Sequence, residues 1–302
     1  MASLLPDYSR TMLKGSIADG KVTVDGRVVS KASFRVSSGQ RISLELPERE
    51  ALRARPQDLP LEIVYQDADL AVINKSVGMV VHPGAGVHDG TLMNAMLFHF
   101  PQTAALPRAG IVHRLDRDTS GLMVAALSQA ACLGLTAAIA RHQVLREYEA
   151  IVEGLIISGG TLETYIGRDP FCRTRMAVMP EGTGRQAITH YRVMERFRGH
   201  TLLKLRLETG RTHQIRVHMA SLGHPLLGDR QYGRSNVKLL TKATEQLNES
   251  LRNFRHQALH ASHLEFVHPV SGESLGFNAP PPEDFRRMVE LLREDFKEHG
   301  ED

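Results

Sequence analysis

Apolar residues recur along this chain at two spacings, and the elements lie where one spacing gives way to the other. "LLKLRLE" puts Leu203, Leu205 and Leu207 on one face and Lys204, Arg206 and Glu208 on the other. That period of two marks a strand with one buried side. "LEIVYQD", "LAVINK", "GLMVAAL" and "REYEAIVEG" read as further strands, and "LEFVHP" with "SLGFNAP" as a late hairpin. Helical patterning fits "GTLMNAMLFHF", the run from Ser128 to His142, and the amphipathic stretch from Glu283 to Lys297. A further helix is expected from His213, capped by Thr212, and the polar stretch from Arg234 to Arg255 reads as an insertion.

The first fifty residues carry a pattern of their own. Ser9 can cap a short helix over Arg10 to Ala18, which a glycine ends. "KVTVDGRVV" holds two short β runs around Asp25-Gly26, a strong hairpin signal, and "RISLELP" closes the unit as an alternating strand. The polar, proline-bracketed "PEREALRARPQDLP" then reads as a linker. The expected organisation is a small domain over 1–50, a linker over 51–60 and a larger α+β domain over 61–302.

Composition narrows the class. Hydrophobic residues make up 42% of the 302 and charged residues 24%, ordinary for a soluble globular protein with a sizeable core. No apolar run approaches the roughly 20 residues a membrane helix needs, and the N-terminus has no signal-peptide pattern. Cys132 and Cys172 have no CxxC spacing, which fits a reducing cytoplasm and argues against a thiolate zinc site. The net charge of +3 is unevenly spread: thirteen Arg/Lys face eight Asp/Glu between Arg141 and Ala220, against four and eight between Glu283 and Asp302. A basic face for a polyanion and a solvated acidic tail fit that asymmetry.

Three segments concentrate chemistry. "HRLDRDTSGLMV" sets Asp116 and Asp118 two residues apart, as a metal-binding pair, a nucleophile beside a turn, or an ordinary polar turn would. Asp116 follows an apolar residue and potential cations, which suits a carboxylate in a cleft, whereas Asp118 sits among turn formers. In "TGRTHQIRVHMASLGHPLLGD", Arg211 at a helix entrance can pair with a carboxylate and keep it ionised. His213 and His218 are five apart, not the three or four that put two zinc ligands on one helical face. Tyr148 in "REYEAIVEG" is either a core tyrosine or a ring that stacks on a base and relays a proton.

Together, "HRLDRDTSGLMV", "REYEAIVEG" and "GRTHQIRVHMASLGHPLLGD" strongly resemble the RluA-type family of pseudouridine synthases. "INKSVGMVVHPGAG", "RAGIVHRLD", "ITHYRVMERF" and "RQALHA" extend the likeness over Leu61 to Asp295 and point to its RluD-like branch. The first fifty residues resemble the small RNA-binding domain of the fourth small-subunit ribosomal protein, without most of its first helix: either the start is placed late, or the domain is truncated and binds RNA more weakly. The resemblance implies an α+β catalytic domain with a mixed, mostly antiparallel sheet, its flanking helices and loops forming a cleft.

It also implies a monomeric cytoplasmic enzyme that isomerises uridine in RNA without cofactor or metal; the lack of a GxxxxGK[ST] loop agrees. Its favoured substrate is the intersubunit-bridge stem-loop of large-subunit ribosomal RNA, helix 69. By the same resemblance, Asp116 is the essential aspartate, Arg211 its partner, and Tyr148 the ring on the uracil. Arg114 takes the flipped base's place and Ile215 lines the uracil pocket, while His113 and Lys75 meet substrate. Arg10, Lys14, Lys21 and Arg27 bind RNA from the small domain. One departure is Asn74-Lys75-Ser76 where the family reads Asn-Lys-Pro; losing Pro loosens the turn that would carry Lys75 to RNA. A metal-dependent phosphodiesterase and a non-catalytic ribosome-binding protein are the competing readings.

Overall fold

A nine-residue helix, α1 (Arg10–Ala18), opens the described part of the chain. The computed structural model describes residues 10–45, 54–84, 86–172, 174–233 and 240–300, without the side chains of residues 10–12. Ser9, expected as the cap of α1, and the Arg10 side chain therefore lie outside the described residues. The chain divides into two units, Met1–Arg53 and Ala54–Asp302.

In the first unit, Asp25 and Gly26 hold φ of 49° and 79° and turn β1 (Val22–Val24) back onto β2 (Arg27–Val28). Two positive φ values in succession match the right-handed twist of a hairpin, which is why Asp-Gly works there. The Asp25 carboxylate also accepts from Arg41 N–H at 2.9 Å, and β3 (Ile42–Leu44) pairs antiparallel with β1 on its other side. Leu13, Val22, Val24 and Val29 form the small core; Lys14, Lys21 and Arg27 are exposed.

The second unit begins with residues that sequence reads as linker, yet Gln57 N–H reaches Asn94 O at 3.1 Å and Leu59 O meets His99 at 2.8 Å. Its elements in order are β4 (Glu62–Gln66), β5 (Leu70–Lys75), α2 (Leu92–His99), β6 (Ser120–Ala126), α3 (Gln129–Ala140), β7 (Leu145–Glu153), β8 (Gly160–Arg168), β9 (Met176–Met179) and β10 (Arg185–Arg196). There follow β11 (His200–Leu207), α4 (Gln214–Ser221), α5 (Glu245–Asn253), β12 (Leu259–Val267), β13 (Ser274–Asn278) and α6 (Glu283–His299). One ten-stranded sheet runs β4-β5-β6-β12-β7-β11-β10-β8-β9, with β13 paired to β12. Every pairing is antiparallel except β6 with β12.

Burial explains the apolar runs. Alternate residues of β5 and β6 enter two different clusters: Ile73, Met123 and Ala125 join α2, whereas Val72, Leu122 and Val124 join Ala131 and Leu135 of α3. Covered on both faces, β6 is buried at all seven positions, which is why "SGLMVAA" shows no alternation. Strand β11 does alternate: Leu203, Leu205 and Leu207 are buried, while Lys204 reaches Glu147 of β7 at 2.5 Å. At Gly121, φ is 113° and an added Cβ would meet Ala261 O at 2.3 Å, so only glycine lets β12 lie this close. Part of the expected insertion is structured instead. α5 buries Leu247 and Leu251 beside Phe285, Met288 and Leu292 of α6, because its leucines recur at helical spacing. Residues 234–239 of that stretch lie outside the described ones.

Candidate active site

The loop that carries Asp116 enters β6 and is tied down along its length. Val124 N–H donates to His113 Nε2 at 3.0 Å, which requires that nitrogen to be unprotonated. Burial, reinforced by the nearby Arg146 charge, pushes the His113 pKa down to about 3. Lys75 donates to three carbonyls, Ser76 O at 2.8 Å, Met79 O at 3.0 Å and Arg117 O at 3.0 Å. Burial lowers its pKa to about 8, with Asp118 and Asp116 acting in the opposite direction. Gly78 N–H also reaches Arg117 O, and Gln257 donates to Thr119 Oγ1 at 3.1 Å. His113 and Lys75, expected at the substrate, thus turn inward and hold the loop. The reason is local: both lie where the chain packs against the buried ends of β5 and β6, and their polar atoms find backbone partners there.

The loop's remaining charges line a cleft of about 320 Å³, with Arg114, Asp116, Asp118, His213, Arg216 and Arg230 on its wall. Asp118 stands beside Arg117 at 3.7 Å. Asp116 is mostly shielded, its side chain 16% exposed, and Oδ2 accepts from Arg216 Nη1 at 3.2 Å. Its other oxygen, Oδ1, faces His213 Nε2 at 3.9 Å, beyond hydrogen-bond reach.

Arg216, not Arg211, is therefore the partner of Asp116. Arg211 Nε donates to Gln186 O of β10 at 2.9 Å, on the far side of the turn that precedes α4. That turn is built by Gln214: its Oε1 accepts from Arg211 N–H at 2.9 Å and Thr209 Oγ1 at 2.8 Å, and its Nε2 donates to Ile188 O and Thr189 Oγ1. The cap position of α4 falls on His213, in the left-handed region at φ 58° and ψ 22° with no side-chain cap bond, and Thr212 does not cap it. Residues three apart share a helical face, so Arg216 projects with His213 toward the cleft.

Asp229 aims Arg216. It is buried and takes Nε at 2.7 Å and Nη2 at 2.9 Å in a fork. Burial opposes both charges. Even so, the bonds to Asp229 and the two carboxylate charges raise the Arg216 pKa, while that fork and two backbone N–H groups lower that of Asp229. The Arg216 guanidinium also lies 4.9 Å from the centre of the Tyr232 ring. Sequence reasoning passed over Arg216, Asp229 and Tyr232. The spacing from His213 to Arg216, and the "GD" that ends the same segment, were the available signals.

Tyr148 is buried on β7 in the cluster that also holds Leu115 and Ile215, the neighbours of Asp116 and Arg216 in sequence. Burial raises its pKa, as does Asp116, with Arg146 acting the other way, so the phenol stays protonated at neutral pH. Arg146 shares that face of β7, reaches Glu208 O at 3.2 Å and keeps an Nε without a partner among the described residues. Arg114 is exposed on the cleft wall.

His218 and His268 are accounted for by their bonds. His218 places Nδ1 2.8 Å from Thr189 Oγ1 and Nε2 2.9 Å from Thr164 Oγ1; burial lowers its pKa to about 4. Asp67, Asp69 and His268 bring three potential ligand atoms within 4.8 Å. His268 Nδ1 accepts from Val270 and Ser271 N–H, so its Nε2 carries the proton it shares with Asp67 at 3.1 Å. That trio knits two turns together.

The arrangement is thus an anionic oxygen open to a cleft, backed by a clamped arginine and walled by further cations. Residues 69–221, which hold Asp116, Tyr148 and Arg216, match the family described as RNA pseudouridylate synthase. The chain belongs to this family. It is an RNA pseudouridine synthase, and residues 1–42 match the S4 domain. Its relatives include the ribosomal large subunit pseudouridine synthase D of Vibrio vulnificus, 51% identical over 99% of this chain and 91% of that protein. The Escherichia coli K12 protein of the same name is 48% identical over 100% and 92%. Among solved structures, human RNA pseudouridylate synthase domain containing 4 superposes with a TM-score of 0.60 at 25% identity, covering 77% of this chain and 93% of that one. Among the described residues of the synthase, no helix is long and apolar enough to cross a membrane.

Proposed function

We propose that this synthase modifies large-subunit ribosomal RNA, that the intersubunit-bridge stem-loop helix 69 is its target, and that Asp116 is the nucleophile on a flipped-out uridine. The relatives named above support the RNA class. The observation that carries the chemistry is the asymmetry of Asp116: Oδ2 is held by Arg216 while Oδ1 is open to the cleft. A carboxylate so placed can bond to an anomeric carbon as the base leaves, in the way glycosidase carboxylates do. The C1′–N1 bond breaks with its electron pair on uracil, and the C1′–O bond to Asp116 forms. The ring turns, C5 attacks C1′ and displaces the carboxylate, and the C5 proton is lost while N1 gains one.

Tyr148 packs against the ring from the apolar floor with Ile215; its phenol gives its proton to N1, and the resulting phenolate takes the proton lost from C5. Arg114, exposed at the cleft wall, fills the gap left in the RNA. Flipping costs a few kcal/mol, least in loops, which favours a stem-loop substrate. The small domain over 1–50 adds affinity through Lys14, Lys21 and Arg27. The enzyme works as a cytoplasmic monomer.

Asp116→Asn is expected to abolish release of tritium from C5 of uracil while leaving RNA binding and the melting curve largely unchanged. Undiminished release from that variant would overturn the assignment.

A further inference from the structure

His213 holds a costly position. A non-glycine residue in the left-handed region sacrifices on the order of 1 kcal/mol, and His213 makes no cap bond in return. The Gln214 network fixes the backbone, and the result is an imidazole aimed across the cleft with its side chain 18% exposed. Its tautomer is set from behind. Tyr232 Oη accepts from Met176 N–H at 2.8 Å and lies 2.8 Å from His213 Nδ1. Met176 donates to that oxygen, and among the described residues the phenol's own proton has no other acceptor than Nδ1, so it goes there and Nε2 carries the imidazole proton. The ring stands edge-on to Tyr232 at 5.6 Å and 77°. Burial, Arg216 and Arg114 all favour the neutral ring, against Asp116 and Asp229. The cleft therefore presents one fixed N–H donor opposite one open carboxylate oxygen, 3.9 Å apart.

That gap is too long for a direct bond and suits a single bridging oxygen. The bridge must accept from His213 and donate to Asp116. A uracil carbonyl only accepts, and a phosphate oxygen would meet the carboxylate with like charge. A hydroxyl does both. In a nucleotide within an RNA chain the free hydroxyl beside the anomeric carbon is the 2′-hydroxyl. We propose that His213 binds the ribose 2′-hydroxyl of the target nucleotide, receiving it from Nε2 while it donates to Asp116 Oδ1. The proposal rests on the RNA reading above and makes the reacting nucleotide itself the place where RNA is told from DNA.

The test uses helix 69 hairpins whose target uridine carries a 2′-hydroxyl or a 2′-hydrogen, the rest remaining RNA, under single turnover. Wild-type enzyme should convert the deoxy substrate about tenfold more slowly or worse, the worth of one good hydrogen bond. His213→Ala should be slow on the ribose hairpin and lose almost nothing further on the deoxy one. His213→Asn keeps a residue that tolerates the left-handed backbone but has a shorter reach, so it should fold and show the same loss of discrimination. A wild-type enzyme indifferent to the hydroxyl, or variants that keep its full discrimination, would overturn the proposal. A wild-type enzyme that converts neither hairpin would overturn the helix 69 reading, and this inference with it.

Discussion

Arg198 and Arg216 are built alike up to a point. Each lays Nε and Nη2 along the two oxygens of a buried aspartate, Asp295 at 2.8 and 2.6 Å in one case and Asp229 at 2.7 and 2.9 Å in the other. They differ at Nη1. Arg198 directs it to Thr241 O at 2.8 Å and so closes a network that fastens α6 to the sheet. Arg216 directs it to Asp116, a second carboxylate with one oxygen left facing the cleft. The same fork is a structural fastening where its third nitrogen ends on a backbone carbonyl, and a clamp on a cleft carboxylate where that nitrogen ends on Asp116.

The contrast can be tested from its strongest consequence downward. Arg216→Lys replaces a fork by a point charge that cannot hold Asp229 and orient Asp116 together. Turnover should fall about 100-fold or more, as a misplaced reacting group typically costs, with the fold retained. Single-turnover rates and circular dichroism on one preparation check both halves, and near-normal turnover would refute the orienting role. Asp295→Asn should do the reverse, leaving Arg198 partly unpaired in the interior. Denaturant titration should show a loss of about 3 kcal/mol with turnover little changed.

A third effect, on acid stability, concerns the loop beneath. His113 binds its proton near pH 3 in the folded chain and near 6.5 when unfolded. Between those values the unfolded state holds more protons, so stability rises with pH across that window and falls on acidification. His113→Gln removes the titration. Its melting temperature should be lower at neutral pH but should decline less steeply between about pH 6.5 and 4 than that of the wild type. Parallel slopes would show that other groups carry the acid sensitivity.

How much of this was legible in the sequence depended on how local the cause was. The Asp25-Gly26 hairpin, the alternation of β11 and the helix after Ser128 are fixed within a few residues, and the structure has them close to where the pattern puts them. The polar face of α5 hid its leucines in a stretch that looked like an insertion. At the site, Asp116 was legible as a cleft carboxylate because it follows an apolar residue and neighbouring cations, and it does line the cleft. Its partner was not, since Arg211 and Arg216 are both arginines near a helix start. Only the left-handed turn at His213 decides which of them faces the cleft. The inward direction of Lys75 was equally hidden, because its three carbonyl acceptors come from two separate stretches of chain.

The position of β12 has a consequence for timing. Residues 259–267 lie between β6 and β7, so in the sheet the strand that follows the Asp116 loop and the strand that bears Tyr148 are joined through a segment made after both. During synthesis both strands emerge with unpaired edges and wait, and such long-range pairing is slow and exposed. A nascent chain on the ribosome cannot assemble this centre until β12 has been made, so every residue that lines the cleft is made before the cleft can close around any RNA.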